Sequence, residues 1–519
     1  MTTPLLGTSF IGFSRATGTE PCGNAVQPGT GALLEPAYIT ATPGEVEKAM
    51  ELAAAAFPRF SNLSGTVRAG FLRAIAVEIE GVVDEIVERG QVETALPEPH
   101  LRGETGRTVG QLRMFADLIE EGSWVDARID RADPDRKPVP KVDLRSMLRP
   151  LGPVTVFCAS NFPLAYSVAG GDTAAALAAG CPVTVIAHEA HPGIAEIIAS
   201  AVVRAARATD MPDGVFSLLY GGGRRVGKAV VEHRVTQAVG FTGSRAGGIA
   251  LMELAAARPQ PIPVFAEMSS VNPVIILPGA LERGEEALAE AFFGSLTLGV
   301  GQFCTNPGLV FIPNGIGERF LTQLKSLILT APAGTMLHAG ICEAFADSTA
   351  AVAATEGVET LARSTTAVGP GQAAPDVFGV SISDFVENRL LQTEMFGPAT
   401  LVVRGTAGEI EDALSQLEGQ LTASLHATED ELAANPGLVH VLRQRAGRFI
   451  YNGFPTGVEV CNSMVHGGPF PATSDGRSSS VGTLAIFRFC RPVAWQGFPA
   501  AALPPELRDG NPLGIRRME

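Results

Sequence analysis

Apolar positions along the first 120 residues recur with a helical period, which predicts a run of amphipathic helices. Residues 42–45 (TPGE) have the pattern of a capping box with proline at the first helical position, so we predict a helix from there to about Phe57. Ser64 is expected to cap a second helix towards Arg89, because apolar residues follow it at helical spacing. A third helix is predicted over about 101–121.

From residue 153 onward, short apolar runs alternate with helical patterns. The predicted strands are 154–157, 182–187, 215–219 and 235–241. The predicted helices are 167–179, 192–208, one that follows the glycines 221–223 and ends at about 233, and one that follows 242–244 and ends at about 257. This alternation is typical of βαβ units, so we predict an α/β fold with a doubly wound parallel sheet. A second α/β block follows, with a strand at 271–277, a helix at 282–299 and a strand at 309–312.

Two further segments fall outside these blocks. Residues 128–140 are rich in Arg, Asp and Pro, and 142–148 alternate as a strand does, which predicts a protruding hairpin. Residues 483–493 form a second strand-like run. It could pair with the hairpin or with a neighbouring subunit, and the pattern alone does not distinguish the two.

Composition narrows the class of protein. The chain has 519 residues, 46% of them apolar, and a net charge of −15, so a nucleic-acid partner is not expected. No apolar run reaches the length of a membrane span, and the N-terminus lacks the pattern of a signal peptide. Seven cysteines without a CxxC pair indicate reduced thiols, so we expect a cytoplasmic protein. The histidines do not cluster with them, and we expect no metal site.

Four residues stand out as candidates for chemistry. Asn161 follows the first βαβ strand, where open sheets bind ligands, and Cys304 follows a glycine-rich helix end. Glu267 is a lone carboxylate in an apolar stretch, where we expect a raised pKa, and Glu394 precedes a rigid Phe-Gly-Pro turn. Each also has an ordinary structural interpretation. Asn161 could form a turn, Cys304 could be a small core residue, Glu267 could lie at a rim and Glu394 could cap a helix.

In their order along the chain, these segments resemble the aldehyde dehydrogenase superfamily, from about residue 40 to 480. The matching motifs are NFP at 161–163, FTGS at 241–244, the motif around Glu267, GQFC at 301–304 and EMFGP at 394–398. Finer features resemble the α-ketoglutaric semialdehyde dehydrogenase branch, to which the NADP-linked fatty aldehyde dehydrogenase of luminous bacteria is similar. These features are the segments 96–108, 160–174, 257–268 and 451–460.

The resemblance implies an aldehyde-dehydrogenase-like fold with three parts. It places a dinucleotide-binding domain in 1–127 and 150–264 and a catalytic domain in 265–455. An oligomerisation hairpin and C-terminal arm would occupy 128–149 and 456–519.

The resemblance also implies roles for the candidate residues. Cys304 would form a thioester, Asn161 and the Cys304 N–H would hold the oxyanion, and Glu267 would activate water. The implied cofactor-binding residues are Phe162, Glu189, Gly243, Ser244, Glu394 and Phe396. Of these, Glu394 would hold the nicotinamide ribose with Phe396 beside it, and Gly243 would let the cofactor approach the backbone.

The sequence departs from the family at two positions. Ile186 occupies the place of a lysine that usually contacts the adenosine ribose or its 2′-phosphate, and Ser269 occupies the place of a glycine. Glu189 matches a ribose-binding glutamate of NAD-preferring relatives, so of NAD and NADP we favour NAD. Arg224 or Arg225 could still contact a 2′-phosphate, or both could be surface charges.

The predicted function is NAD(P)-dependent oxidation of an aldehyde, in particular a semialdehyde such as 2-oxoglutarate semialdehyde. One alternative is a broader medium- or long-chain (fatty) aldehyde dehydrogenase. Another is an inactive cofactor-binding or scaffold homologue, because of Ile186 and Ser269. The expected partners are a small-molecule aldehyde and further copies of the chain in a homodimer or homotetramer, without nucleic acid or membrane. Phe162, Phe454 and Phe470 are candidates for the substrate tunnel, or for core packing.

Overall fold

The computed structural model describes residues 4–519, so the first three residues of the predicted dinucleotide-binding domain lie outside the described part. The strands are β1 Phe10–Ile11, β2 Ser14–Arg15, β3 Pro21–Val26, β4 Leu33–Ile39, β5 Arg128–Asp130, β6 Leu144–Pro150, β7 Val154–Phe157, β8 Val183–Ile186, β9 Phe216–Leu219, β10 Ala238–Thr242, β11 Val264–Glu267, β12 Pro273–Ile276, β13 Leu309–Pro313, β14 Gly334–Thr335, β15 Glu359–Arg363, β16 Gln372–Ala373, β17 Asp376–Ser381, β18 Ala399–Gly405, β19 Gln420–His426, β20 Ala446–Tyr451 and β21 Cys490–Gln496.

The helices lie between these strands. They are α1 Pro43–Phe60, α2 Gly65–Glu80, α3 Val83–Thr94, α4 Glu98–Glu121, α5 Gly171–Ala179, α6 Pro192–Ala208, α7 Lys228–Glu232, α8 Arg245–Ala256, α9 Pro278–Glu282, α10 Glu285–Thr297, α11 Glu318–Thr330, α12 Ala339–Ala353, α13 Ile382–Glu387, α14 Ala407–Gln416, α15 Glu429–Ala434 and α16 Pro436–Arg445. Within the described residues, no helix has the length and apolar character needed to cross a membrane.

The helix starts that were predicted from caps are confirmed. The Thr42 hydroxyl accepts from the Glu45 N–H while the Glu45 carboxylate accepts from the Thr42 N–H, which completes the capping box of α1. The prediction of one helix from Ser64 to Arg89 is wrong, because the chain breaks at Gly81 and Val82 into α2 and α3. Glycine has a low helix propensity, so Gly81 weakens the helix at this point, and Val82 has non-helical dihedral angles.

The first large sheet has the order β11-β10-β7-β8-β9-β1-β2. Strands β11, β10, β7, β8 and β9 are parallel, and the short β1 and β2 add an antiparallel edge. The parallel strands are buried along their length except at the end of β10, and helices α5, α6 and α8 connect them, as predicted for a doubly wound sheet. This arrangement brings the carboxyl ends of β7, β10 and β11 side by side, with Phe157 paired to Phe241 and Thr242 paired to Glu267.

The second large sheet has the order β15-β17-β18-β13-β12-β19-β20, with only β15 antiparallel to its neighbour. Its amino edge carries the loop that holds Cys304, since this loop leads directly into β13. The domain bounds implied by the resemblance stay a prediction.

The segment after β20 differs from its prediction. Residues 483–489 form a 3-10 helix that packs its apolar face inward, and only Cys490–Gln496 extends as β21. This strand pairs antiparallel with β6, and β6 pairs with β5, so the predicted hairpin is confirmed. The sequence left open whether this segment pairs with the hairpin or with a neighbouring subunit. In the structure it pairs with the hairpin strand β6 of the same chain.

Candidate active site

A cavity of about 260 Å³ lies at the carboxyl edge of the first sheet, where it meets the amino edge of the second. Open parallel sheets bind ligands at this edge. The lining residues include Asn161, Gly243, Ser244, Glu267, Ser269, Cys304, Glu394 and Phe396. Most of the residues predicted from separate parts of the sequence therefore meet at one place.

The loop that carries Cys304 is held by the segments that lead into β12 and β18 of the second sheet. The buried side-chain amide of Asn272 donates to the carbonyl oxygens of Cys304 (2.8 Å) and Asn306 (2.9 Å). Gly301 has a positive φ of 65°, and a Cβ there would lie 2.3 Å from the carbonyl carbon of Gly397. The GQFC motif and the EMFGP motif thus pack backbone against backbone, and only glycine permits this approach.

Cys304, His466 and Glu267 form a buried cluster beside the cavity. The His466 Nε2 lies 3.5 Å from the Cys304 Sγ and 2.8 Å from the Glu267 Oε1. The Ser480 hydroxyl donates to the other carboxylate oxygen, Oε2. Oε1 is buried and has no aligned hydrogen-bond donor among residues 4–519, so its contact with the imidazole is an ion-pair distance without hydrogen-bond alignment.

Sequence reasoning did not identify His466 or Ser480, because both lie in the segment assigned to a C-terminal arm. Residues 472–474 pair with the edge strand β11, where the Met268 N–H donates to the Ala472 carbonyl and the Ser474 N–H donates to the Ala266 carbonyl. This pairing returns the chain to Glu267. A lone histidine in the glycine-rich stretch MVHGGP (464–469) was the available signal in the sequence.

Within the cluster, the pKa of Glu267 and the pKa of the Cys304 thiol are shifted in opposite directions. Burial raises the pKa of Glu267, but the imidazole of His466 and the Ser480 hydroxyl outweigh it and hold this pKa below its ordinary value. The predicted raised pKa of Glu267 is therefore wrong, because the sequence did not show this partner. Burial and the carboxylates of Glu267 and Glu394 raise the pKa of the Cys304 thiol well above its usual range.

Asn161 lines the same cavity and lies in the turn after β7. Its side-chain amide donates to the Gln302 carbonyl at 3.0 Å, and the Glu104 carboxylate accepts from the N–H groups of Leu164 and Ala165 to hold the turn. Burial raises the pKa of Glu104 to about 7. The Cys304 N–H makes no hydrogen bond within the described residues, so it is available as a donor.

Gly243 and Ser244 line the opposite wall at the start of α8. The Ser244 hydroxyl caps this helix by accepting from the Gly247 N–H, and the Gly243 N–H donates to the Glu267 carbonyl. A Cβ on Gly243 would lie 2.7 Å from the ring of Phe241. The packing of Phe241 alone therefore requires glycine here, in addition to the predicted approach of a cofactor.

Glu394 and Phe396 close the cavity from the second sheet. Burial raises the pKa of Glu394 to about 7, against hydrogen bonds from the Ser269 hydroxyl and the Ser270 N–H. Ser269, at which the sequence departs from the family pattern, also lines the cavity. It therefore lies beside Glu394, the residue predicted to hold the nicotinamide ribose.

Glu189 is exposed in the turn between β8 and α6. A Cβ on Gly222 would lie 2.5 Å from its Oε1, so the carboxylate adjoins the glycine loop after β9. Ile186 ends β8 and is buried in the core. Arg225 forms a bidentate pair with Glu20, whereas Arg224 is exposed and forms no salt bridge in the described part of the chain.

The three phenylalanines proposed for a substrate tunnel lie in different places. Phe162 is buried, and its ring packs against those of Tyr166 and Phe303. It does not line the cavity. Phe454 packs on Phe292 in the second block. Phe470 is half exposed.

Arg107 covers the aromatic cluster formed by Phe162, Tyr166 and Phe303. Its guanidinium lies 5.8 Å from the ring centre of Phe162 and 5.4 Å from that of Tyr166. Its Nε is buried without a hydrogen-bond partner, and its Nη2 donates to the Tyr166 hydroxyl at 3.3 Å. It forms no salt bridge among residues 4–519, although its charge acts on the buried carboxyl of Glu104. Its positive charge favours the Cys304 thiolate.

Comparisons with known proteins agree with this arrangement. Residues 19–433 match the family model described as "Aldehyde dehydrogenase family". The chain is similar to "Alpha-ketoglutaric semialdehyde dehydrogenase 2" of Azospirillum brasilense (49% identity, covering 99% of this chain and 98% of the relative). It is also similar to "Alpha-ketoglutaric semialdehyde dehydrogenase" of Acinetobacter baylyi (45% identity, 99% and 98%). A solved structure of 3,6-anhydro-L-galactose dehydrogenase "in Complex with NAP" has a TM-score of 0.80 at 20% identity, covering 94% of this chain and 99% of that one.

Proposed function

Since this chain belongs to the aldehyde dehydrogenase family and is an NAD(P)-dependent oxidoreductase acting on aldehydes, we propose that it oxidises α-ketoglutaric semialdehyde to 2-oxoglutarate through a Cys304 thioester. The observation that carries this mechanism is the position of His466 between Cys304 and Glu267, in contact with both. The proposed substrate rests on the two relatives and on Arg107, which forms no salt bridge among residues 4–519.

Acylation begins with the loss of the thiol proton of Cys304. Desolvation makes the free thiolate unfavourable, so a neighbouring base has to accept the proton as the sulfur attacks. The His466 Nε2 lies 3.5 Å from Sγ and is the group placed to accept it. The carboxylate of Glu267, 2.8 Å from Nε2, then stabilises the imidazolium.

The aldehyde oxygen becomes an oxyanion when the C–S bond forms. The Cys304 N–H is free to donate to it, and the Asn161 amide, which lines the same cavity, supplies a second donor by exchanging its bond to Gln302. Fixed donors of this kind stabilise charge as it develops.

The residues on the opposite wall fit a nicotinamide nucleotide. The cavity offers a carboxylate for ribose hydroxyls (Glu394), a flat aromatic side chain (Phe396) and a glycine at which the backbone is open (Gly243). A nicotinamide nucleotide held by these residues would supply the hydride acceptor for the oxidation. Glu189, beside the glycine loop, would hold the adenosine ribose.

Deacylation needs a base for water. The Glu267 Oε1 has a free lone pair because no donor is aligned with it, while Ser480 fixes Oε2 and so orients the carboxylate. The lowered pKa keeps Glu267 ionised at neutral pH, so Oε1 can accept a proton from water. Because the same shift makes the carboxylate a weaker base, His466 shares this proton. One water then yields the acid and regenerates the Cys304 thiol.

Arg107 supports a substrate with a carboxylate at the far end. A half-buried guanidinium that forms no salt bridge among residues 4–519 favours an anionic ligand, and Arg binds carboxylates through two parallel hydrogen bonds. Phe303 of this aromatic cluster precedes Cys304, and the charge of Arg107 favours the Cys304 thiolate, so a carboxylate held by Arg107 would lie on the side of the Cys304 loop that carries these rings.

For the cofactor we propose a preference for NAD. Glu189 would repel a 2′-phosphate, and Arg225 is already neutralised by Glu20. The predicted cytoplasmic location and the homodimer or homotetramer are also proposals, and light scattering of the purified protein measures the latter.

A substrate-by-cofactor panel tests the proposed function. We expect the highest kcat/KM with α-ketoglutaric semialdehyde and NAD, lower values with hexanal and decanal, and no turnover by Cys304→Ala. A matched Cys342→Ser variant, altered outside the cluster, should retain activity. Equal or higher kcat/KM with decanal would favour the fatty aldehyde alternative instead.

A further inference from the structure

The side chains of Glu267, Cys304 and His466 have ligand atoms that all lie within 4.8 Å of one another. Zinc bonds to sulfur are about 2.3 Å long and those to imidazole nitrogen or carboxylate oxygen about 2.0–2.2 Å, so a tetrahedral ion separates its ligand atoms by about 3.3–3.6 Å. The 3.5 Å between Sγ and Nε2 already matches this separation. The 2.8 Å between Nε2 and Oε1 requires the carboxylate to move outward by about 0.5 Å.

A second observation also indicates a missing ligand. Oε1 of Glu267 is buried, with the residue 2% exposed, yet it has no aligned donor within residues 4–519. Its contact with His466 Nε2 at 2.8 Å is not aligned as a hydrogen bond, and a cation bound to both atoms would replace this contact with two bonds. Oε1 is also the oxygen that faces His466, whereas Ser480 already satisfies Oε2.

The fold anchors the backbone of all three ligand residues before any ion binds. Glu267 ends β11, Asn272 anchors the Cys304 carbonyl, and the backbone of His466 donates to the Ser479 hydroxyl and accepts from the Ser480 N–H. Fixed ligands reduce the ordering cost of binding. Cys304 and Glu267 line the cavity, which leaves an open side for a fourth ligand such as water.

The donor set selects the kind of metal. A thiolate, a neutral imidazole and a carboxylate carry a charge of −2, which a divalent cation neutralises in a buried site. Thiolate and imidazole together favour zinc over magnesium or calcium. Three protein ligands with an open fourth position are typical of zinc sites that retain a water molecule.

We propose that Glu267, Cys304 and His466 form a Zn²⁺-binding site that reversibly inhibits the enzyme. Binding forms Zn–S, Zn–N and Zn–O bonds and releases the thiol proton to solvent, without a redox change. The ion occupies the sulfur lone pair that would attack the aldehyde, so zinc and aldehyde compete. The inhibitory part rests on the proposed function, whereas the binding part does not.

The test is a titration of the reduced, cofactor-free, full-length protein with ZnCl₂ by calorimetry and with CoCl₂ by absorption. We expect one ion per chain and a thiolate-to-cobalt absorption band in the near ultraviolet. His466→Asn, Glu267→Gln and Cys304→Ser should each weaken zinc binding by at least about 100-fold. Circular dichroism and NAD binding check that each variant is folded.

Two exposed cysteines provide matched controls. Cys22→Ser and Cys461→Ser should leave zinc stoichiometry and affinity unchanged. Unchanged zinc binding in the three cluster variants, or its loss in a control, would overturn the site. Site-dependent zinc binding without aldehyde oxidation would refute the proposed function alone, and aldehyde oxidation without site-dependent zinc binding would refute this inference alone.

Discussion

The imidazole Nε2 of His466 lies 3.5 Å from the Sγ of Cys304, although the two residues are 162 positions apart in the chain. In this position His466 can accept the thiol proton. Without His466, a carboxylate would have to accept it. The contact exists because the segment after β20 returns to the edge of β11.

Replacing this histidine should impair acylation. We expect His466→Asn to lower kcat by about 10²–10⁴-fold, the usual contribution of general base catalysis, with cofactor affinity unchanged. Alkylation of Cys304 by iodoacetamide at pH 7 should also become slower. The control is His440→Asn, at an exposed position on α16. Wild-type rates of turnover and alkylation would contradict the role.

Glu267→Gln should have opposite effects on the thiol and on turnover. Its negative charge raises the pKa of Cys304, so its removal lowers that pKa, increases the thiolate fraction at pH 7 and speeds alkylation severalfold. Loss of the base for water should produce a stopped-flow burst of NADH followed by a stall. Glu418→Gln, at the surface, is the control. Steady turnover without a stall would count against Glu267 as the base.

Asn161→Ala should lower kcat by about 10²-fold, because it removes one of the two oxyanion donors. Affinity for NAD, measured by fluorescence titration, should stay the same. Asn62→Ala, at an exposed position, serves as the control. An unchanged kcat would exclude the amide from the reaction.

Arg107→Gln should change specificity more than chemistry. Hydrogen bonds to charged groups contribute about 1.5–3 kcal/mol, so KM for α-ketoglutaric semialdehyde should rise about 10- to 100-fold, while kcat/KM for hexanal should stay within about twofold. Arg102→Gln, on the exposed face of the same helix, is the matched control. A parallel loss with both substrates would indicate a structural role instead.

Glu189→Gln should shift the cofactor preference towards NADP. Removing the carboxylate removes repulsion of the 2′-phosphate, so we expect the ratio of kcat/KM for NADP over NAD to rise about tenfold. Arg224→Gln should lower that ratio if this exposed arginine contacts the phosphate. Glu429→Gln, on the surface of α15, should leave it unchanged.

Local sequence determined much of the fold. Residues only a few positions apart determine the capping box at Thr42, the glycine after α5 and the alternation of buried strands with helices. These features can therefore be predicted from the sequence. The motifs around Asn161, Cys304 and Glu394 likewise identified three walls of the cavity, because strand ends and glycine turns mark where a parallel sheet binds ligands.

Tertiary structure alone decided the electrostatics of the site. The pKa of Glu267 depends on His466 and Ser480, which come from a segment about 200 residues later, and no local pattern shows that this segment pairs with β11. The absence of a salt bridge to Arg107 among residues 4–519 likewise follows from the positions that the fold gives to the carboxylates. Charge interactions and desolvation depend on distances between atoms in the folded chain, and the sequence fixes those distances only through the whole fold.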